Sequence, residues 1–444
     1  MLVAPVESLT GGPLHRRAPQ KQQFCLPLFS DMPVAGSVRF DCEGRWGSMK
    51  IVHLTTVAMS HRYLLLPQLT ALVDAGHEVV AVSADGPEVA DLAAHGIRHR
   101  PLEGSTRGFD LLADLRAARS FASIVRQERP DLVHTHNPKP GVYGRIIART
   151  LRVPVVVNTV HGLYATPEDP FMRRLAVYGL EAVASRFSHL ELVQNIEDTE
   201  LMIDTRLAPA GRVRHLGNGI DIRRFEPRRR AEHRRAVRSE LGLGDDEVMV
   251  LSVGRLVAEK GFGELLAASE AISEPHALVI VGPEDPEKPD ALPAEAVAAA
   301  RTRGVRFLGH RHDIDRLLAA ADVFVLASHR EGFPRAAMEA AASGLPIIAT
   351  DIRGCRQVVD DGITGLLVPR RDPGALAAAL AKLAGNRDLR LGLGAAGRTK
   401  AEAEFDELHV IERLFESYRD LGVPTAMSTV RPAQTGTERP FATR

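Results

Sequence analysis

Two glutamates separated by seven residues, Glu331 and Glu339, bracket the segment Glu331-Gly332-Phe333-Pro334-Arg335-Ala336-Ala337-Met338-Glu339. The run before it, Ala321-Asp322-Val323-Phe324-Val325-Leu326-Ala327-Ser328, reads as a buried strand ending in a polar loop. The run after it, 335–343, is Ala-rich and helix-favouring. Glu331 is therefore expected in a strand-to-helix loop and Glu339 about one turn into the helix, leaning back toward Glu331. The neighbours of Glu339 are small or apolar on every side, so its carboxylate needs partners or its burial is costly. Two acids and a helix N-terminus around one volume suit a ligand that brings hydroxyls to the acids and phosphate to the helix end. Taken alone, the pair also fits the two carboxylates of a general acid/base mechanism.

Three further segments carry related chemistry. In Val253-Gly254-Arg255-Leu256-Val257-Ala258-Glu259-Lys260-Gly261, Gly254 frees the backbone as a strand ends, and Arg255 and Lys260 place two cations at one strand mouth. A diphosphate needs such charge, each charge-assisted hydrogen bond contributing about 1.5–3 kcal/mol. The competing reading is an ordinary surface Arg and Lys. His161, in Thr159-Val160-His161-Gly162-Leu163, stands at a strand exit, where it suits a sugar hydroxyl or a phosphate, although an isolated histidine is more often structural. The run His134-Thr135-His136-Asn137-Pro138-Lys139-Pro140-Gly141 ends another strand; its histidines lack a zinc-like ligand set, and no metal is expected. The first loop, Thr55-Thr56-Val57-Ala58-Met59-Ser60, lacks Gly-x-Gly-x-x-Gly, and no acidic residue ends the second strand, which argues against a nicotinamide enzyme.

These residues need elements to hold them. Short apolar runs at 51–57, 78–83, 98–102, 132–135, 155–159, 189–193 and 213–216 alternate with helical patterns at 64–75, 111–128, 143–151, 171–185 and 197–204. After a basic linker from Arg223 to Arg238, the alternation restarts. Its strands are expected at 248–253, 278–281, 305–308, 323–326, 346–349 and 365–368, with helices at 263–272, 295–303, 314–320, 335–343, 373–383 and one long helix near 400–418. Strands alternating with helices imply an α/β fold of two doubly wound parallel sheets, with ligands at the carboxyl ends of the strands. The linker reads as a solvated hinge-side helix, or as a contact to lipid heads or phosphates.

The 444 residues suggest two domains, and 56 basic residues against 56 acidic leave no nucleic-acid footprint; aromatics at 5% argue against base-stacking surfaces. Cys25, Cys42 and Cys355 show no metal spacing and fit a reducing cytosol. No apolar run approaches the ~18 residues of a membrane span. Residues 1–48 carry no periodic pattern and read as a disordered tail or a gene-model extension, with Met49 as the start of regular sequence. Residues 422–444 read as a disordered tail.

In order along the chain, the Gly-Arg-Leu…Glu-Lys-Gly loop, the hinge Gly217-Asn218-Gly219-Ile220-Asp221, the Glu-x7-Glu spacing and the run 346–369 resemble the retaining, nucleotide-sugar-dependent glycosyltransferases of family 4, which have the GT-B fold. The resemblance covers about 49–421. The segments His134 to Gly141 and Thr350-Asp351-Ile352-Arg353-Gly354-Cys355-Arg356 resemble the bacterial subgroup that builds capsule, exopolysaccharide or other surface glycans on lipid-linked acceptors.

The resemblance implies two Rossmann-like domains facing a cleft: an acceptor-side domain at 49–221 and a nucleotide-sugar-binding domain at 222–400. A C-terminal helix at 401–421 would cross back to the first. Arg255 and Lys260 would hold the donor diphosphate, Glu339 the ribose, and Glu331 the donor-sugar hydroxyls. Gly254, Gly332, Phe333 and Pro334 would line the donor site, and His161 would touch the donor sugar from the opposite domain. The donor would be a UDP-sugar before a GDP-sugar, the acceptor lipid-linked or an oligosaccharide, and no metal or other cofactor would be required. The place would be the cytoplasm, with peripheral contact at the inner membrane face; the helix at 171–187, with Arg173, Arg174 and Arg186 beside Leu175, Val177 and Leu180, reads either as a basic amphipathic membrane surface or, equally, as a helix packed against the sheet. A nucleotide-sugar epimerase and a non-catalytic glycosyltransferase-like subunit are the competing readings.

Overall fold

The computed structural model describes residues 47–425, apart from 107, 109, 137, 228, 229, 245, 286, 287 and 289. The expectations for the N-terminal extension up to residue 46 and for the tail beyond 425 lie outside the described residues.

The first half is a parallel sheet of β1 (Lys50–Val57), β2 (Glu78–Ala84), β3 (Arg98–Pro101), β4 (Leu132–His136), β5 (Val155–Val160), β6 (Leu190–Val193) and β7 (Val213–His215), in the order β3-β2-β1-β4-β5-β6-β7. The second is a parallel sheet of β8 (Val248–Val253), β9 (His276–Val281), β10 (Arg306–Phe307), β11 (Val323–Leu326), β12 (Ile347–Thr350) and β13 (Gly365–Val368), in the order β10-β9-β8-β11-β12-β13. The central strands are buried end to end, as in β4, β5 and β11, because helices cover both faces. The strand order reverses beside β1 in one sheet and beside β8 in the other. Crevices therefore open at the carboxyl ends of these strands, where the candidate residues lie.

Most expected elements match to within a few residues; three differ. The helix expected at 64–75 begins earlier, with a turn at Ala58–Ser60 and a wider π-turn at His61–Leu65 before Leu66–Asp74. The helix expected at 143–151 begins at Lys139, because Pro140 sits in its first turn, where a missing N–H costs nothing. The long helix expected near 400–418 is two helices, Arg387–Glu404 and Glu407–Arg419. The Asp406 side chain accepts from the Leu408 amide and caps the second helix, so the chain bends there.

That bend is where the chain returns to the first half. The Ile220 amide donates to the Phe405 carbonyl at 2.9 Å, and the Glu407 amide donates to the Ile220 carbonyl at 3.0 Å. A Cβ on Gly219 would lie 2.5 Å from the Glu407 Cα, so the two crossing strands of chain can meet only at a glycine. Beyond the bend, Val410, Ile411, Leu414, Phe415 and Tyr418 join the core that Met49, Ile51 and Leu132 form under the first sheet.

The basic linker forms the helix expected, largely solvated, but two of its arginines turn inward. On the helix Arg230–Leu241, Arg234 and Arg238 turn inward and pair with Asp322 at 2.9 and 3.2 Å, and Arg238 is only 2% exposed. Arg238 also donates to the carbonyls of Ala320, Gly244 and Glu247, so it neutralises the C-terminal end of the helix Ile314–Ala320. Val237 packs with Leu317 and Leu318 in the same core, which draws the arginines in with the helix.

Candidate active site

The loop between β11 and the helix Arg335–Ala342 carries Glu331. Its Oε1 accepts from Lys260 Nζ at 2.7 Å and from Ser328 Oγ at 2.7 Å. Lys260 arrives on a short turn, Ala258–Lys260, a few residues after β8. Arg255 leaves the end of the same strand, just after Gly254, and pairs with Asp285 at 3.0 Å. That pair is solvent-exposed enough to hold the guanidinium only weakly. The two cations expected for a diphosphate thus leave one strand mouth, and one of them grips the acid expected to hold the sugar.

Among the described residues neither the Gly332 nor the Phe333 amide donates a hydrogen bond within the protein, while both carbonyls are engaged. Asn195 donates to Gly332 O at 3.0 Å, and Asn218 donates to Phe333 O at 3.3 Å. The Phe333 ring stands edge-on to Phe405, with centroids 5.9 Å apart. Pro334 is buried and precedes the first helical residue, and no side chain caps that helix N-terminus. Two unengaged amides beside an uncapped helix end form a ready anion- or hydroxyl-binding edge.

A Cβ on Gly332 would come 2.1 Å from the His161 carbonyl, so the halves touch backbone to backbone here and only glycine fits. His161 lines the central cavity, and its ring is held by other side chains. Its Nε2 lies 3.0 Å from His136 Nδ1, and Gln194 is its other side-chain partner. Burial lowers its pKa to about 4, so the imidazole is neutral at physiological pH. It ends a network built by the adjacency of β1, β4 and β5. His53 Nδ1 lies 3.2 Å from His136 Nε2, and His134 bonds Thr159 Oγ1 and the Tyr418 hydroxyl, both at 2.7 Å.

The sequence spacing gave no zinc-like set, but the fold adds His53 to His134 and His136, and their nearest nitrogens lie within 4.8 Å. Both nitrogens of His134 are already hydrogen-bonded, and His53 and His136 bond each other, so as it stands the trio is a buried polar network.

Glu339 is not among the residues that line the cavity beside Glu331. Glu331 lines the central cavity, of about 650 Å³, together with Arg255, Gly332, His161, Gly162 and Lys139. Glu339 lies along the helix instead, beside Arg335, Arg224 and Asp315. Among the described residues its carboxylate has no hydrogen bond or ion pair, and burial raises its pKa. As expected, Glu339 is the fifth residue of its helix, about one turn below the loop.

Four residues had no role assigned from sequence. Arg353, after β12, pairs with Asp198 at 2.5 Å and donates to the Leu163 carbonyl. Asn195 also reaches the Arg353 carbonyl at 3.3 Å. Asp198 is buried, which raises its pKa, and the Arg353 charge opposes the shift. Arg330 lines the central cavity beside Glu331. A charged residue at a strand exit was the available signal for Arg353. Asp198 and Asn195 gave none, because their partners lie far away in sequence.

Residues 64–219 match the glycosyl transferase 4-like domain, and residues 233–400 match the glycosyl transferases group 1. The chain is 29% identical over 324 residues to an Escherichia coli protein, UDP-Gal:alpha-D-GlcNAc-diphosphoundecaprenol alpha-1,3-galactosyltransferase, covering 71% of this chain and 82% of that one. It is 27% identical to the Staphylococcus aureus capsular polysaccharide biosynthesis glycosyltransferase CapM, covering 84% of this chain and 97% of that one. Among solved structures, Anabaena Alr3699/HepE in complex with UDP and glucose superposes with a TM-score of 0.71 at 22% identity, covering 84% of this chain and all of that one.

Proposed function

Because the chain belongs to the GT-B glycosyltransferases, with a 4-like first half and a group 1 second half, we propose the following reaction. A hexose or N-acetylhexosamine passes from a UDP-sugar to a lipid-linked or glycan acceptor in bacterial surface polysaccharide assembly, with retention of anomeric configuration. The observation that carries this reading is the meeting of Arg255, Lys260 and Glu331 beside one interdomain cavity. The UDP preference draws support from the galactosyltransferase's name and from the UDP held by the superposing structure. The acceptor draws support from the diphosphoundecaprenol in that same name. With the family established, the epimerase and non-catalytic readings drop out.

Transfer separates charge: the sugar becomes oxocarbenium-like while the diphosphate gains negative charge. Arg255, Lys260 and the helix end at Arg335 stabilise that developing charge without a metal. Glu331, held by Lys260 and Ser328, grips sugar hydroxyls and does not attack carbon; retention follows from front-face attack. Glu339, whose carboxylate has no hydrogen bond or ion pair among the described residues, takes the ribose hydroxyls. The backbone at His161–Gly162, pressed on Gly332, closes the site against water.

A screen of UDP- and GDP-sugars for acceptor-free hydrolysis tests this. A UDP-sugar is expected to turn over fastest, unchanged by EDTA. Faster GDP-sugar turnover would overturn the nucleotide assignment, and loss of turnover in EDTA would overturn the metal-free one. Glu339→Gln is expected to raise the donor KM roughly tenfold through weakened ribose bonds, with kcat little changed. An unchanged KM would remove Glu339 from the ribose.

We also propose peripheral contact with an anionic membrane. On the helix Phe171–Ala184, Phe171, Met172 and Leu180 are exposed beside Arg173. At the start of the helix Leu111–Glu128, Leu111 and Leu112 are 75% and 74% exposed. Apolar side chains next to arginines fit an interfacial surface. No helix among the described residues is long and apolar enough to cross a membrane. The protein is expected to float with phosphatidylglycerol vesicles and to stop doing so when Phe171 and Met172 are both replaced by serine. A wild type that stays at the bottom of the gradient rules the surface out.

A further inference from the structure

Arg330 is a partly buried cation of the cleft with no carboxylate in contact among the described residues. The other cations around the cavity have carboxylate partners: Lys139 with Asp114 at 2.5 Å, Arg255 with Asp285 at 3.0 Å, Lys260 with Glu331 at 2.7 Å and Arg353 with Asp198 at 2.5 Å. Lys288, which also lines it, is exposed to water. Among the described residues Arg330 has no ion pair or hydrogen bond, and its Nη2 is buried without a partner. Its guanidinium lies over the Tyr164 ring, with Cζ 5.3 Å from the centroid, so the ring holds the plane of the donors in place. Burial and the nearby Arg173 and Arg353 lower its pKa, while the charges of Glu259 and Asp169, not in contact with it, oppose the shift.

A guanidinium carries five donors in a fork that matches phosphate, and leaving it partly dry and unpaired is costly. An anionic ligand would remove that cost. Arg330 reaches from the second half to Tyr164 in the loop after β5, on the acceptor side, and a second cavity of about 280 Å³ continues past it; there Arg353 and Arg356 are matched by Asp198 and Glu197, and Glu168, Glu200 and Asp204 add further negative charge, so the unpaired donors are those of Arg330 itself. The donor diphosphate already has Arg255 and Lys260 on the proposed reading. We propose that Arg330, seated on Tyr164, binds a phosphate of the acceptor next to the transferred sugar. This inference rests on the proposed transfer to a lipid-diphosphate acceptor.

The test is calorimetric titration of inorganic pyrophosphate into protein saturated with UDP, which fills the donor's phosphate site. Wild type is expected to take up pyrophosphate. Arg330→Gln is expected to lose roughly tenfold or more in that affinity, the value of a charge-assisted contact, while still binding UDP as wild type does. Arg330→Lys, which keeps the charge but not the fork, is expected to fall between them, and its UDP binding reports that the site is folded. Three results overturn the inference: no pyrophosphate uptake by the UDP-saturated wild type, equal uptake by Arg330→Gln, or a parallel loss of UDP affinity, which would move Arg330 to the donor. A wild type that binds no UDP at all fails the proposed function itself, and the inference falls with it.

Discussion

Replacing Lys260 with alanine is expected to lower kcat roughly 100- to 1000-fold, the scale set by removing one preorganised charge from a developing anion. Two losses combine in this change. The departing diphosphate loses a cation, and Glu331 loses the Nζ at 2.7 Å, keeping only Ser328. A Glu331 side chain without that bond can turn away from the sugar, so the loss falls on kcat as well as on donor affinity. Lys260 is partly exposed and lies outside the cores, so Tm is expected to drop by only a few degrees. Steady-state kinetics beside a thermal melt separates the two effects. Wild-type turnover in Lys260→Ala would remove the site as described. A kcat loss matched by unfolding would make Lys260 structural.

Replacing Arg353 with alanine is expected to cost about 3–5 kcal/mol, the penalty for stripping the partner from a buried charge. Asp198 is 1% exposed in its side chain and would remain in the interface with only the Leu163 amide at 3.1 Å. The contact to the Leu163 carbonyl would be lost as well, so the loop that presses on Gly332 loosens and the donor KM is expected to rise. The pH dependence has a definite sign. Burial already raises the Asp198 pKa, and removing Arg353 raises it further. Between the unfolded value and the raised one, the folded state binds the proton more tightly, so stability falls as pH rises through that window. The variant should therefore be worst at neutral pH and recover toward wild type on acidification. Asp198→Asn combined with Arg353→Met should recover much of the loss, because an uncharged pair no longer needs matching. Denaturant melts across pH test this; a loss independent of pH would mean that Arg353 acts by packing alone.

Several features were legible in the sequence because they are local. The alternation of apolar runs with amphipathic segments marks the strands and helices within a few residues. The helix Leu111–Glu128 matches its pattern end to end, and Asp110 caps it by accepting from the amides of Leu112 and Ala113. The strand exits carrying His161, Arg255 and Glu331 were legible for the same reason. What failed was long-range. The helix expected near 400–418 looked continuous because its apolar period hardly falters at Phe405-Asp406; the break is imposed by the Ile220 bridge, which lies far back in the chain. The arginines of the linker looked solvent-facing, since nothing nearby in sequence signals that Asp322 will stand beneath them.

By itself, the sequence determined that this protein is two parallel α/β halves and that Arg255, Glu331 and His161 stand at strand exits. Side-chain periodicity and loop chemistry are set by neighbours a few residues away. Only the tertiary structure decided which of those groups meet. It joins Lys260 to Glu331 and Arg353 to Asp198, brings the His161 ring against His136, and leaves Arg330 Nη2 buried without a hydrogen-bond partner among the described residues. The physical reason is that partner choice follows strand order and the contact between the halves. These bring together residues from distant parts of the chain and leave no trace in any one segment.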